Sequence, residues 1–439
     1  MRHEFHAHTD ASNIRGLDCI NKTEELIQYA SDIGLNGIAI TDHETLTNHI
    51  KAIKYLKKAK ENGKISEDFK LTLGNEIYLV DSSLTKESYN SKKHSFFHFI
   101  LLAKDKEGHK QLRQLSTRAW ERSFKAYVER VPTYYKDIEE IIGENPGHIA
   151  ASSACMGSIL GKALIENRRD VAINFINWAK KIFKNDFYLE IQPGQKDQMA
   201  YNNFIIELSN ETNVPVIITN DVHYLSTELR SIHRSYLNAQ QADREVDAFY
   251  SHTYLMNDET IKKELNYLSE NYIEACYKNS NELGEKIEQY DLAKPQIVPI
   301  AKYEESTFES FEIDIIEKYK NMNIMFNSKE SQDKTLMRLI FDGLKRINEY
   351  NEEYYERIEL ELTEVIAVSG HLKQPISAYF NTMSKIISLI WEKGNSLVGA
   401  GRGSAASFLI TFLVGITQVD PLKAPSFLPH WRLNISLPI

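Results

Sequence analysis

Gly37-Ile38-Ala39-Ile40-Thr41-Asp42-His43 decides how the rest of the chain is read. A short apolar run of this kind reads as a buried strand, and it ends on a carboxylate and an imidazole. The pattern recurs. Apolar runs at 71–80, 96–103, 148–152, 187–191 and 215–219 read as further strands. Helical patterns lie between them. Asn21-Lys22-Thr23-Glu24 reads as a capping box that opens a helix, and Gly34 as its stop. Residues 51–64 carry lysines on one face and Ile53, Leu56 and Ala59 on another, a solvated amphipathic helix. Repeated strand–helix units predict a parallel α/β architecture, either a barrel or an open sheet.

Chemistry-bearing residues gather at the ends of these strands. Eleven of the fourteen histidines precede residue 234. Phe5-His6-Ala7-His8 sets two imidazoles on one face of an extended segment, because strand side chains repeat with period two. Asn220-Asp221-Val222-His223 repeats the spacing after the last strand. Glu76 lies in Gly74-Asn75-Glu76, His98 follows a Phe-Phe pair, and Cys155 follows Ser152-Ser153-Ala154. The C-terminal ends of parallel strands converge on one mouth, so residues distant in sequence can meet there. Imidazole, carboxylate and one thiolate form a mixed ligand set that suits zinc, manganese or iron. Asp42 and Asp10 are candidates to orient ligating histidines. Each motif alone is a weak signal; their joint recurrence at several strand ends is the specific one.

Composition bounds the rest. The chain has 439 residues, with 52 basic against 61 acidic side chains and a net charge of −9. A uniformly basic nucleic-acid binder is excluded, while a local basic groove is not. Apolar residues are 42% and charged residues 26%, as in ordinary globular proteins. The length predicts two or three domains. Cys19, Cys155 and Cys276 are too few and too widely spaced for a disulfide framework, and Cys19 and Cys276 read as structural. The N-terminus has no apolar signal segment, and the longest apolar stretch, near 408–416, is short of a membrane span. A cytoplasmic protein is expected.

Beyond residue 225 the texture turns polar and helical, with Asn257 starting one helix. Residues 295–330 read as a linker, and 336–347 and 355–368 have helical periodicity. Gly399-Ala400-Gly401-Arg402-Gly403-Ser404 then precedes an apolar helical run. A glycine-rich turn leading into a helix can present backbone N–H groups to phosphate. Arg402 can pair with phosphate oxygens and Ser404 can donate to them. Without context this reads equally as a tight turn before a buried helix.

Together, His6-Ala7-His8-Thr9, Thr41-Asp42-His43, Gly74-Asn75-Glu76, His98, Ser153-Ala154-Cys155 and Asn220-Asp221-Val222-His223 resemble a PHP (polymerase and histidinol phosphatase) domain. More narrowly, they resemble the one that opens the bacterial DNA polymerase III alpha subunit, the C-family replicase. The resemblance implies a distorted α/β barrel over 1–225 and a helical C-terminal part of the PHP region over 226–300. It implies nine ligands for two or three divalent metals: His6, His8, Asp18, His43, Glu76, His98, Cys155, Asp221 and His223. Asp18 comes ten residues after His8, about three more than the family spacing. Glu44 stands where the family has glycine after Asp-His. The implied activity is metal-dependent 3′–5′ exonuclease proofreading on a DNA primer–template.

From Tyr354 through the glycine turn to Asp420-Pro421-Leu422 the chain is similar to the start of the C-family palm. The resemblance implies a linker and an incomplete α+β palm over 301–439. It also implies contact of Gly401, Arg402, Gly403 and Ser404 with the phosphates of an incoming dNTP. The family runs on into aspartates that bind catalytic magnesium. Here Ser436-Leu437-Pro438-Ile439 ends the sequence, so polymerisation is expected to need a second chain or fragment. A sliding clamp and other replisome subunits are implied partners. Two other readings share the ligands: a stand-alone phosphatase acting on a small phosphorylated metabolite, and a non-catalytic, metal-stabilised scaffold for a proofreading subunit.

Overall fold

The computed structural model describes residues 2–14, 16–80, 96–126, 131–239, 247–295, 297–304 and 307–423. The expected family motif at 436–439 lies outside them. The chain divides into two compact units, Met1–Ala293 and Lys294–Ile439.

Among its described residues the first unit has eight strands: β1 (His3–Glu4), β2 (Gly37–Ile40), β3 (Lys70–Val80), β4 (Phe97–Ala103), β5 (Pro132–Tyr134), β6 (Ile149–Ser152), β7 (Phe187–Ile191) and β8 (Val216–Ile218). Their order is β1-β2-β3-β4-β6-β7-β8, with β5 paired to β3. A parallel bridge between Ala7 and Val222 joins the two ends of this order and brings the sheet close to a closed barrel. It is sealed by His8 N–H to Val222 O (2.9 Å) and Val222 N–H to His6 O (3.0 Å). The pairing is parallel except at β4, which runs antiparallel to both β3 and β6. That reversal is the distortion of the barrel.

Around the sheet pack α1 (Thr23–Asp32), α2 (His49–Glu61), α3 (Lys106–Ala126), α4 (Arg169–Phe183), α5 (Lys196–Thr212) and α6 (Glu270–Glu285). α1 stops as expected, with Gly34 at φ 84°. Its start differs from expectation. The helix begins at Thr23 with no side-chain cap, because Asn21 instead donates to His8 O at 3.0 Å. A local cap was exchanged for a tie to the segment carrying the two N-terminal histidines. Asn257 does cap its helix, accepting from the Thr260 N–H.

Strand periodicity sorts the barrel interior into two halves. On one face of each strand stand His98, Ile100 and Leu102 in β4, Ala150 and Ser152 in β6, and Tyr188 and Glu190 in β7. Ile100, Leu102, Ala150, Tyr188 and Ile217 join Phe5, Ala39, Ala154, Leu283 and Ile287 in one buried apolar cluster. α6 supplies Leu283, and its Ser280 hydroxyl donates to His3 O at 2.8 Å. The residues at the other end of the same face are polar. An apolar plug thus floors a polar mouth, and each fully buried Leu or Ile of the plug contributes about 1.5–3 kcal/mol.

The described residues of the second unit are helical: α7 (Ser310–Lys318), α8 (Lys320–Phe326), α9 (Ser331–Ile347), α10 (Glu352–Leu372), α11 (Ser377–Glu392) and the short α12 (Leu409–Leu413). No strand of a palm lies among them. Leu336, Ile340, Phe341 and Leu344 of α9 pack with Ile358 and Leu362 of α10 and Leu409 and Leu413 of α12. No helix among the described residues of the chain is long and apolar enough to cross a membrane.

Candidate metal centre

The polar mouth of the barrel gathers all nine residues expected as ligands. His6 and His8 follow β1, His43 follows β2, and Asp221 and His223 follow β8, so these five lie beyond the ends of parallel strands. Glu76 lies within β3. His98 departs from the pattern of ligands at C-terminal strand ends. It is the second residue of β4, and the reversal of that strand carries its beginning to the mouth, where Tyr78 and His98 pair in register.

Glu76 is the hub. Its Oε2 lies 3.4 Å from His6 Nε2, 3.1 Å from His8 Nε2 and 2.9 Å from His43 Nδ1, and its Oε1 lies 2.7 Å from His98 Nδ1. Asp221 Oδ1 approaches Nε2 of both His6 and His8 at 3.1 Å. Asp18 Oδ2 sits 3.2 Å from His223 Nε2 and 3.3 Å from His43 Nε2, so the lengthened spacing after His8 still delivers this carboxylate. Cys155 Sγ is 3.5 Å from His98 Nδ1. Three overlapping donor groups result: His8, His43 and His223; His6, His8, Glu76 and Asp221; and His43, Glu76 and His98. Asp18 and Cys155 stand at their edges.

Charge in this cluster is self-balancing. Burial alone would lower the pKa of His6, but Asp221, Glu190 and Glu76 outweigh it and hold the imidazole well above its ordinary value. Burial would raise Glu76, Asp221 and Asp18, yet the surrounding imidazoles hold each of them well below the usual carboxylate range. The Cys155 thiol is pushed well up by burial, with Asp221 and Glu76 adding to the effect. Such a set fits a divalent cation, whose charge replaces that of protons on the imidazoles and favours a bound thiolate. Hydrogen bonding gives the independent sign. His6 Nε2, His43 Nδ1 and both Glu76 oxygens are buried, and although they crowd together as ion pairs none is aligned for a good hydrogen bond. Four converging polar atoms left in that condition are costly unless something else coordinates them.

The surroundings hold the donors in place. His8 Nδ1 meets Ser12 Oγ at 3.1 Å, and Ser12 in turn donates to Asp42 at 2.8 Å. Asp42 also accepts from Thr9 N–H and Oγ1 at 2.6 and 2.7 Å, so it has the orienting place expected of it. Asp10 does not; it turns outward to Lys22 at 2.6 Å. Glu44 adopts φ 58°, the left-handed region that glycine occupies freely, which accounts for the family's glycine there. Its carboxylate accepts from Val131 N–H at 2.7 Å, a bond glycine cannot make. Ala154 (φ 60°) and Asp221 (φ 51°) are left-handed too, each at a strand end of the mouth. Strain of about 1–3 kcal/mol at each is borne by the packed barrel beneath.

Sequence reading missed three neighbours. Tyr250 donates to Asp18 at 2.6 Å, and nothing local in the sequence marks it. Tyr78 stacks on His43, with ring centroids 5.8 Å apart. Glu190 contacts His6 at 3.0 Å, and a carboxylate inside the apolar run Phe187-Tyr188-Leu189-Glu190-Ile191 was a readable signal. The mouth opens into a cavity of about 420 Å³ whose lining includes Ile14, Leu17, Phe249 and Tyr250. Ile14 and Phe249 are about 40% exposed at its rim.

In the second unit, residues 401–405 are exposed, with Gly401 at φ 115° and Gly403 at φ 63°. The expectation that the following helix offers its N–H groups to phosphate is not met. Glu361 of α10 already accepts from Leu409 N–H (2.7 Å) and Ile410 N–H (2.8 Å). Only the turn itself, with Arg402 and Ser404, remains open to solvent.

Residues 4–194 match the PHP domain family, and residues 334–433 match the bacterial DNA polymerase III alpha NTPase domain. A DNA-directed DNA polymerase of Bacillus phage SPbeta is 39% identical over 97% of this chain and 35% of its own length. The DNA polymerase III subunit alpha of Borreliella burgdorferi is 30% identical over 95% of this chain and 33% of its own. The chain therefore spans about a third of the length of the curated relatives it matches. A solved Bifidobacterium adolescentis protein described as a metal-dependent phosphoesterase aligns over 61% of this chain and 96% of its own at 14% identity. Its TM-score of 0.31 is too low to carry an argument. The chain thus joins a PHP domain to a bacterial DNA polymerase III alpha NTPase segment, and DNA polymerase relatives, a DNA polymerase III subunit alpha among them, align across both.

Proposed function

We propose that the barrel mouth is a phosphodiesterase centre that removes nucleotides from the 3′ end of a DNA primer, a proofreading activity accompanying replication. His6, His8, Asp18, His43, Glu76, His98, Cys155, Asp221 and His223 would hold two or three divalent ions drawn from zinc, manganese and iron. Bound there, such ions supply a nucleophilic water near neutral pH and neutralise phosphate charge. The chain's own residues do the rest. Glu76 binds centrally, Ser12 and Asp42 orient His8, and Tyr250 steadies Asp18. The apolar rim of Ile14 and Phe249 suits a terminal base stacked beside the scissile phosphate. The observation that carries this reading is the convergence of His6 Nε2, His43 Nδ1 and both Glu76 oxygens, buried and crowded together without well-aligned hydrogen bonds.

The exposed turn Gly401-Arg402-Gly403-Ser404 is proposed to contact the phosphates of an incoming dNTP or of the primer–template. Magnesium-dependent polymerisation then depends on the remainder of the polymerase, with a sliding clamp as a further partner. The polymerase segment disfavours a metabolite phosphatase, which has no use for it.

The test is release of nucleotides from a 3′-labelled primer–template by metal-loaded protein, with chelator and His8→Ala controls and metal content measured on the same sample. Release abolished by both controls is expected. Full metal occupancy without release overturns the nuclease reading in favour of the scaffold.

A further inference from the structure

Glu190 is fully buried next to the C-terminal end of β7. A buried carboxylate is costly unless its oxygens are bonded and its charge balanced. Its oxygens are well supplied. Ser152 Oγ of β6 donates to Oε1, and Thr219 Oγ1 beyond β8 donates to Oε2 at 2.7 Å. Among the described residues its ion-pair partner is His6, whose Nδ1 stands 3.0 Å from Oε2. No lysine or arginine among them shares that role.

The consequence falls on the other nitrogen of the same ring. With Nδ1 donating to Glu190, Nε2 is the nitrogen left to offer a lone pair when a cation takes the place of its proton. Nε2 points into the cluster, 3.1 Å from Asp221 Oδ1 and 3.4 Å from Glu76 Oε2, and makes no hydrogen bond there. A carboxylate behind a ligating imidazole fixes its tautomer and ring orientation and raises its basicity.

We infer that Glu190 is a positioning residue of this centre, holding His6 in the tautomer that presents Nε2 to a divalent cation. Through Ser152 and Thr219 it also ties cation binding to the mutual seating of β6, β7 and β8. The inference rests on the metal reading of the mouth.

The experiment is chelator competition with Mn²⁺ and Zn²⁺ on the full chain, read as apparent affinity and as the rise in melting temperature on metal addition. Glu190→Gln is expected to weaken affinity about 10–100-fold. The double variant with His6→Ala should be no weaker than His6→Ala alone, because Glu190 acts through that ring. Thr219→Val, which keeps the charge but loosens its seat, should weaken affinity severalfold and provides the test where Glu190→Gln does not fold. Affinity within twofold of wild type in Glu190→Gln, or in Thr219→Val where that variant provides the test, overturns the inference. So do losses that add in the double variant. Wild-type protein that binds neither cation overturns the metal reading itself, a result distinct from the other two.

Discussion

The barrel mouth and the glycine turn, the two places proposed to meet phosphate, are built in opposite ways. In the mouth, imidazoles and carboxylates are buried, converge within 2.7–3.4 Å of one another, and are held from behind by Ser12, Asp42 and Glu190. At residues 401–405 the backbone is exposed, and the nearest helix terminus is already occupied by Glu361. A centre that must fix several ions tolerates no rearrangement and is prepared in advance. A loop that only grips phosphate can order around its ligand, at the cost of affinity.

The largest effect expected from this contrast follows removal of the hub charge. Glu76→Gln leaves four imidazoles facing one another without their shared carboxylate. Loss of most bound metal is expected, with a cost of about 3–5 kcal/mol for breaking a buried pair. Elemental analysis and peptide-resolved hydrogen exchange check both. Protection lost in the second unit as well would erase the contrast.

Acid should next discriminate between the units. His49, hydrogen-bonded to His109 and Gly74 O at 3.0 Å each, is lowered to about 3 by burial and by His109. Burial, aided by Lys70, lowers His3 to about 4. Both imidazoles are neutral in the folded protein, whereas in the unfolded chain they titrate near 6.5. The unfolded state therefore takes up protons first, and stability is lost as pH falls from about 6.5 toward 4. Each group should cost on the order of 2 kcal/mol by pH 5. Denaturant melts at pH 7 and pH 5 measure it. The second unit has no buried histidine among its described residues and should be spared this source of loss.

A smaller effect is expected from Glu361→Ala, which strips the acceptors from Leu409 and Ile410 N–H. About 1–3 kcal/mol should be lost, confined to the second unit, with metal affinity unchanged. Smallest on stability is Arg402→Ala, expected within about 0.5 kcal/mol of wild type. DNA affinity should nonetheless fall, with a salt dependence shallower by about one in the log–log slope. An unchanged slope would remove the turn from the phosphate-binding surface.

Much of the mouth was legible because strand periodicity is rigid. In extended backbone, His6-Ala7-His8 can only put both imidazoles on one face. What escaped depends on partners far away in sequence. His98 reaches the mouth by way of an antiparallel strand, and strand direction is not written in an apolar run. Asn21 looks like a cap yet bonds to His8 O, because a tertiary acceptor displaced a local one. The apolar run after the glycine turn does form a helix, but its amides are taken by Glu361 from another element, which no local pattern reveals.

The closing bridge between Ala7 and Val222 also has a bearing on timing. His8 and Asp221 face each other across 213 residues of sequence, so the first donors to emerge wait for counterparts made much later. Contacts of such long range carry a large loop-closure cost and form slowly. During synthesis, an unfinished chain can hold His6, His8 and His43 but never the complete set. Ion capture by the full set then waits for barrel closure, and an ion seated in the mouth reports that both ends of the sheet have met.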